Sequence, residues 1–512
     1  MFLGIDLGST SVKAALYDVS GNVVAQSVAA MRRFHPNPVH PEWTVWDPDI
    51  LWQDVSSVCR HVVRAIGNAS QIRAVAVTGM GMDGLPMTEN GVALYPFISW
   101  HDSRTAPQYD WWMKNIGETK TYRIGGNPVW TINSALRMLW IKENEPRIFA
   151  ETFKWLLIED FINFKLTGCF ATDYSMASCT MLFDQKKRNW SEELCNLSGI
   201  PISMLPQVLP SSTFLGTLNA AAATITELKE GTPVFLGGHD HICSSLPIGA
   251  FREGNVMNIT GTWETIGLVS TSAPVDVPLG ENGIMTQSHV LADRYMIWGG
   301  NPAGEMLEWY RRAVAVDAGK IAVETGKNDA PLSDWNVLIP LAESAPPGSN
   351  GVMFLPHLDG CQCPWVDPYS RGTFIGLNTR TSHKELLRSV IEGLGYQILT
   401  VIRVMESGLG MKATEVVATG GAVRNRFWMQ NKADVTGLRV RIPAIEEATV
   451  LGAAILAGIG VGTYRDAEDA FAQVCKTSET FEPNENRTTF YQKRFPLFRE
   501  LYAAVSPLHR QI

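Results

Sequence analysis

The feature that most restricts how this chain can fold is a repeated unit, an apolar run ended by a glycine turn and followed by another apolar run. Near the N-terminus Phe2-Leu3-Gly4-Ile5 leads into Asp6, Gly8-Ser9-Thr10 interrupts, and residues 12–17 resume. In the second half Val256-Met257-Asn258-Ile259 stops at Gly261-Thr262 and residues 265–269 resume. Two more runs end the same way, Val234-Phe235-Leu236 at Gly237-Gly238 and Val416-Val417-Ala418-Thr419 at Gly420-Gly421. Short apolar runs bounded by glycine read as buried strands. Helical patterns lie near 48–66, where Pro48 suits a first turn, at 425–436, and at 448–459, which is rich in Ala and Gly. The alternation predicts an α/β protein of two lobes, each with its own sheet. We expect domains at 1–245 and 246–465, followed by a helical extension over 466–512.

At 512 residues the chain is too long for one ordinary core, which agrees with two lobes. A net charge of −8 without a dense Lys/Arg run argues against a nucleic-acid surface. No apolar stretch approaches the ~20 residues that span a bilayer, and the N-terminus lacks signal-peptide features. The eight cysteines are scattered and do not read as a disulfide framework, so a reducing, cytoplasmic location is expected. The one close pair, Cys361 and Cys363, has no second pair to complete a metal site and reads as two reduced loop thiols.

The glycine turns carry the chemistry. In the first, Gly8 allows a tight turn that exposes amides and the hydroxyls of Thr10 and Ser11 to an anion, with Lys13 just beyond. Asp6, at the strand end, suits a divalent cation. In the second, Gly237-Gly238 brings the backbone close to a neighbour and puts Asp240 at the edge of a sheet. There a carboxylate can take the proton of a hydroxyl that attacks phosphorus. His239 and His241 flank it and can orient a substrate. Gly261-Thr262 and Gly420-Gly421-Ala422 complete a set of four strand-ending turns. A cradle for phosphates, a cation site and a base together point to phosphoryl transfer.

These residues resemble the FGGY carbohydrate kinases of the actin-like ATPase superfamily over essentially the whole chain. The likeness is carried by residues 4–13, Trp100-His101-Asp102-Ser103-Arg104, Leu166-Thr167-Gly168 and Thr172-Asp173-Tyr174-Ser175. It continues in Phe354-Leu355-Pro356-His357-Leu358, Gly420-Gly421-Ala422-Val423-Arg424-Asn425 and residues 447–454. The resemblance implies two RNase-H-like lobes around a cleft, the first for the sugar and the second for ATP, with Mg²⁺ as cofactor. It assigns Asp240 as catalytic base, Asp6 to the metal and Thr10 to the transferring phosphate. It assigns Thr262, Gly304, Gly421 and Asn425 to the nucleotide, and Met82, Asp83, Trp100 and Asp102 to the acceptor. A homodimer is compatible with it.

The departures bear on substrate identity and leave the phosphate chemistry intact. Gly360-Cys361-Gln362-Cys363-Pro364 stands where many members have G-E-R-x-P, and Arg137 replaces a lysine in a K-L-x-W segment. Met82-Asp83 replaces the Met-His of xylulokinases and the Arg-Glu of glycerol kinases. The expected activity is ATP-dependent phosphorylation of a small sugar or polyol. The competing readings are a non-kinase ATPase of the same superfamily and a silent sugar sensor.

Overall fold

The computed structural model describes residues 1–276, 279–315 and 335–512. The first lobe is built on strands Phe2–Leu7 (β1), Ser11–Tyr17 (β2), Val23–Ala30 (β3), Ala74–Gly79 (β4), Phe214–Thr217 (β5) and Pro233–His239 (β6). They form one sheet in the order β5-β6-β4-β1-β2-β3. β1, β4 and β6 run parallel and the outer pairings are antiparallel. Helix Pro48–Ile66 (α1) begins where expected because Asp47 accepts the Asp49 and Ile50 amides at 2.9 and 3.0 Å, and Gly67 ends it at φ 70°. Its apolar face, with Leu51, Val55, Val58 and Val62, is buried against β2 and β3. Loss of the Asp47 cap would cost about 1 kcal/mol.

The second sheet comprises Asn255–Thr260 (β7), Trp263–Ser270 (β8), Met285–Ser288 (β9), Tyr295–Pro302 (β10), Glu415–Thr419 (β11), Arg439–Pro443 (β12) and Thr477–Phe481 (β13). The order is β9-β10-β8-β7-β11-β12-β13. From β10 to β13 the pairings read antiparallel, antiparallel, parallel, parallel, antiparallel. From β3 to β5 the first sheet repeats that sequence of pairings, so the two-lobed expectation holds at the level of topology.

Helices Asp240–Ile248 (α2), His383–Leu409 (α3), Arg426–Thr436 (α4), Ala448–Gly460 (α5) and Glu485–His509 (α6) follow in chain order. α2 and α5 pack together between the sheets. Ile242, Cys243 and Leu246 meet Val450, Ala453 and Ala457, with Ala74 and Ala76 of β4 on one side and Met257 and Val417 on the other. The small residues of α5 are explained by this approach. A Cβ on Gly452 would lie 2.0 Å from the Cys243 carbonyl oxygen.

Three expectations change in detail. β6 does not stop at Leu236 but runs through both glycines to His239, bulged between Phe235 and Gly238. The tail is not a purely helical extension, since β13 joins the second sheet beside β12 and only then does α6 follow. The expected boundary at 245/246 falls inside α2. All eight cysteines are free, and among the described residues no helix is long and apolar enough to cross a membrane.

Candidate active site

β1, β4 and β6 end at the same edge of the first sheet, the usual place for ligands in parallel α/β sheets. Asp6 is the penultimate residue of β1, the Gly81-Met82-Asp83 loop lies just beyond β4, and His239 ends β6 with Asp240 next to it. The glycines of β6 are dictated by crowding, because a Cβ on Gly237 would sit 1.7 Å from the Val77 carbonyl oxygen. Asp240 is the first residue of α2, and its side chain keeps 21% of its exposure. Its Oδ1 accepts the His241 amide at 2.6 Å, with His241 Nδ1 at 3.2 Å and His239 Nε2 at 3.5 Å.

Asp6 is buried, and its Oδ1 has no hydrogen-bond partner. Burial first, then the nearby Asp240 charge, pushes its carboxyl up to about 8, against the pull of Lys13. A buried carboxyl with an idle oxygen beside a second carboxylate is a setting that a divalent cation relieves.

The residues expected on the acceptor side gather behind this edge. Met82 has φ 76°, and its carbonyl accepts both Ser134 Oγ and Arg137 Nη1 at 2.5 Å, which hold the strained loop. Asp83 is fully buried, takes the Trp46 indole N–H at 2.7 Å and pairs with Arg137 at 2.9 Å. Burial raises its carboxyl while Arg137 pulls the other way. Asp102 is also enclosed. Its four acceptor positions take the Arg104 amide, Arg104 Nε and Nη2, and the Thr44 amide. Asp102 thus braces the Trp100–Arg104 loop, whose Trp100 is exposed and stacks on His101 at 3.7 Å. Met82, Cys179 and Met285 form a small apolar cluster flanked by Trp130 and Trp298, and the Trp298 ring lies 5.6 Å from that of His241.

The second lobe holds a cavity of about 1180 Å³. Gly261, Thr262, Gly304, Gly421, Ala422 and Asn425 line it, alongside apolar Leu307, Ile339 and Phe427. Gly304 donates its amide to the Gly261 carbonyl at 3.0 Å, and a Cβ there would lie 2.4 Å from that oxygen. Gly420 backs the wall at φ 94°, and Asn425 caps α4 through the Trp428 amide. A pocket of this size, with backbone turns on one side and an apolar wall on the other, fits a nucleotide. Thr10 lies on the β1–β2 turn and Ser11 opens β2, both outside this cavity. Lys13 is engaged elsewhere, pairing at 2.8 Å with Glu447 just before α5.

Sequence reasoning missed Gln287 and the indoles of Trp130 and Trp298, since a lone tryptophan or glutamine gives no signal of its own. It noted Arg137 only as a departure, although the buried Asp83 needs a cation nearby. Cys361 and Cys363 belong to a turn clipped to β10, where Asn301 accepts the Gln362 and Cys363 amides and donates to the Cys363 carbonyl.

Comparison with known proteins agrees with this geometry. Residues 1–246 match the FGGY family of carbohydrate kinases, N-terminal domain, and residues 256–461 its C-terminal domain. The chain is 30% identical to L-fuculokinase of Escherichia coli (strain K12), over 94% of this chain and 97% of that protein. It is 28% identical to xylulose kinase of Bacillus subtilis (strain 168), over 99% and 97%. The crystal structure of xylulose kinase from Rhodospirillum rubrum superimposes with a TM-score of 0.89 at 26% identity, over 99% of each chain. The chain therefore belongs to the FGGY family of carbohydrate kinases, enzymes that phosphorylate a sugar hydroxyl with ATP and Mg²⁺.

Proposed function

We propose that Asp240 is the base that takes the proton of the attacking hydroxyl, and that the acceptor is a polyhydroxylated sugar held between the Met82–Asp83 loop, His239, His241 and the Trp130–Trp298 wall. The observation that carries this reading is the place of Asp240. It is a partly open carboxylate at the shared end of β1, β4 and β6, oriented by the His241 amide and flanked by two imidazoles. The L-fuculokinase and xylulose kinase relatives support the sugar class.

When bound, ATP supplies the phosphoryl group and Mg²⁺ offsets its charge. Asp6 would hold the cation, directly or through water, because its buried Oδ1 is otherwise idle. Thr262, Gly304, Gly421 and Asn425 would seat the nucleotide against backbone that approaches without side chains in the way. Thr10 and Ser11 would present hydroxyls to the phosphates from the first lobe. Asp83 and Asp102, bound by protein donors, act by fixing the acceptor loops. Asp240 accepts the hydroxyl proton as the oxygen attacks, contributing a rate factor of about 10²–10⁴.

The test is ADP release over a panel of ketoses, aldonates and polyols, for the wild type and Asp240→Asn. Acceptor-stimulated turnover that disappears in the variant is expected. Turnover indifferent to every acceptor would instead favour a plain ATPase.

A further inference from the structure

We infer that Gln287, on the edge strand of the second sheet, is a positioning residue for the phosphoryl-transfer site. Its amide holds His239 as the neutral Nε2–H tautomer, so that His239 offers a donor beside Asp240 and not a second base.

The argument is an inventory of hydrogens. Gln287 Oε1 lies 2.9 Å from Trp298 Nε1, which can only donate, and Gln287 Nε2 lies 2.8 Å from the Ser175 carbonyl, which can only accept. These two partners set the amide orientation without ambiguity. The remaining amide hydrogen faces His239 Nδ1 at 3.0 Å, with the Cys179 sulfur at 3.3 Å. A ring nitrogen opposite an N–H must present a lone pair. The neutral ring therefore carries its hydrogen on Nε2, the nitrogen 3.5 Å from Asp240 Oδ1. An Nε2 that already bears hydrogen cannot take the proton of the acceptor hydroxyl, which leaves that task to Asp240.

Protonating the ring would put a second N–H against the Gln287 amide. The titratable groups facing the ring are Asp240 and His241 from its own segment and the Cys179 thiol, which burial keeps neutral. Burial pushes the imidazole down to about 4, with Asp240 opposing and His241 adding. The same tautomer withdraws Nε2 from the group of ligand atoms that His239, Asp240 and His241 bring within 4.8 Å of one another.

The contact crosses the lobes. His239 and Ser175 belong to the first lobe, and Gln287 to β9 of the second. β9 is docked along its length, with the Thr286 amide on the Gly126 carbonyl at 2.8 Å and the Ser288 amide on Ser178 Oγ at 3.1 Å. Gln287 thus delivers an instruction from the second sheet to the residue beside the base. No motif marks it, because its partners are 48 and 112 residues away along the chain.

The inference rests on Asp240 being the base, yet its test does not. The full-length enzyme is labelled with ¹⁵N in its histidine rings, and His239 is assigned by the resonances lost in His239→Gln. The expected wild-type spectrum is a neutral Nε2–H ring across about pH 5.5–8.5. In Gln287→Glu a carboxylate faces Nδ1, so the hydrogen moves there and the ring pKa rises by about two units or more. A new ionisation then appears in the kcat profile, with kcat falling below it as the imidazolium pairs with Asp240, while the KM for ATP is unchanged. A wild-type His239 that carries Nδ1–H, or that titrates near its ordinary value, overturns the inference whether or not the variant folds. An unchanged tautomer in folded Gln287→Glu overturns it equally. Retained turnover in Asp240→Asn would remove the base assignment but leave the tautomer result standing.

Discussion

Replacing Lys432 with methionine tests whether the Gly261-Thr262 turn, which lines the proposed nucleotide cavity, depends on one buried cation. The Lys432 ammonium is fully buried on α4, and each of its three hydrogens has an acceptor: Asn258 Oδ1 at 2.6 Å, Thr260 Oγ1 at 2.6 Å and Glu264 Oε1 at 2.5 Å. Glu264 also accepts from Asn258 Nδ2 at 3.0 Å. Burial lowers the lysine pKa and the Glu264 charge raises it. Asn258 and Thr260 end β7 directly before the Gly261-Thr262 turn, and Glu264 follows that turn on β8. Lys432→Met keeps the side-chain volume but leaves the Glu264 carboxylate buried without a counter-charge, at a cost of about 3–5 kcal/mol. Adding Glu264→Gln removes the stranded charge and should recover about half or more of that loss. If half of the single-variant cost is local to the turn, about 1.5–2.5 kcal/mol, ADP binding weakens about ten- to seventy-fold. Urea denaturation and ADP titration of the wild type, both singles and the double measure the cycle. A Lys432→Met protein within about 1 kcal/mol of wild type, or a double variant worse than the single, would refute the reasoning.

Two further outcomes follow from the packing of buried groups. His289 is buried between Ser245 Oγ and the Leu291 amide, each at 3.0 Å, and burial pushes it down to about 3. Its folded pKa lies below the unfolded one, so the unfolded chain binds the extra proton and the wild type loses stability as pH falls from about 6.5 toward 3. His289→Gln lacks that term, so its deficit against wild type should shrink by about 2 kcal/mol between pH 6.5 and 4.5 in urea titrations; a constant deficit contradicts this. A Cβ on Gly81 would lie 2.6 Å from Cys179 Sγ and 2.9 Å from His239 Nε2. Gly81→Ala should therefore displace the ring, costing about 1–3 kcal/mol and raising the acceptor KM with ATP binding intact; an unchanged acceptor KM would show that the ring does not touch the acceptor.

What could be read from sequence was what is local. Pro48 announced α1, three of the four glycine turns announced strand ends, and the Ala/Gly pattern of 448–459 announced a closely packed helix. Gly237-Gly238 was misread as a stop because glycine after an apolar run usually ends a strand; here the missing side chains let the strand pass Val77. The β13 strand of the tail was hidden because its partner, β12, decides its conformation. The acceptor residues were placed by resemblance, but their partners were not legible. Trp46, 37 residues from Asp83, and Arg137, 55 residues from Met82, meet them only once the chain has folded. Gln287 is the extreme case, a residue without a motif whose role exists only through the seam between lobes.

The most direct measurement is the initial rate of Asp240→Asn with the best acceptor of the wild type, beside its ADP affinity. The account predicts that kcat falls by about 10²–10⁴ while the Kd for ADP stays within about twofold. A variant that binds ADP normally and still phosphorylates the sugar at near the wild-type rate would contradict it.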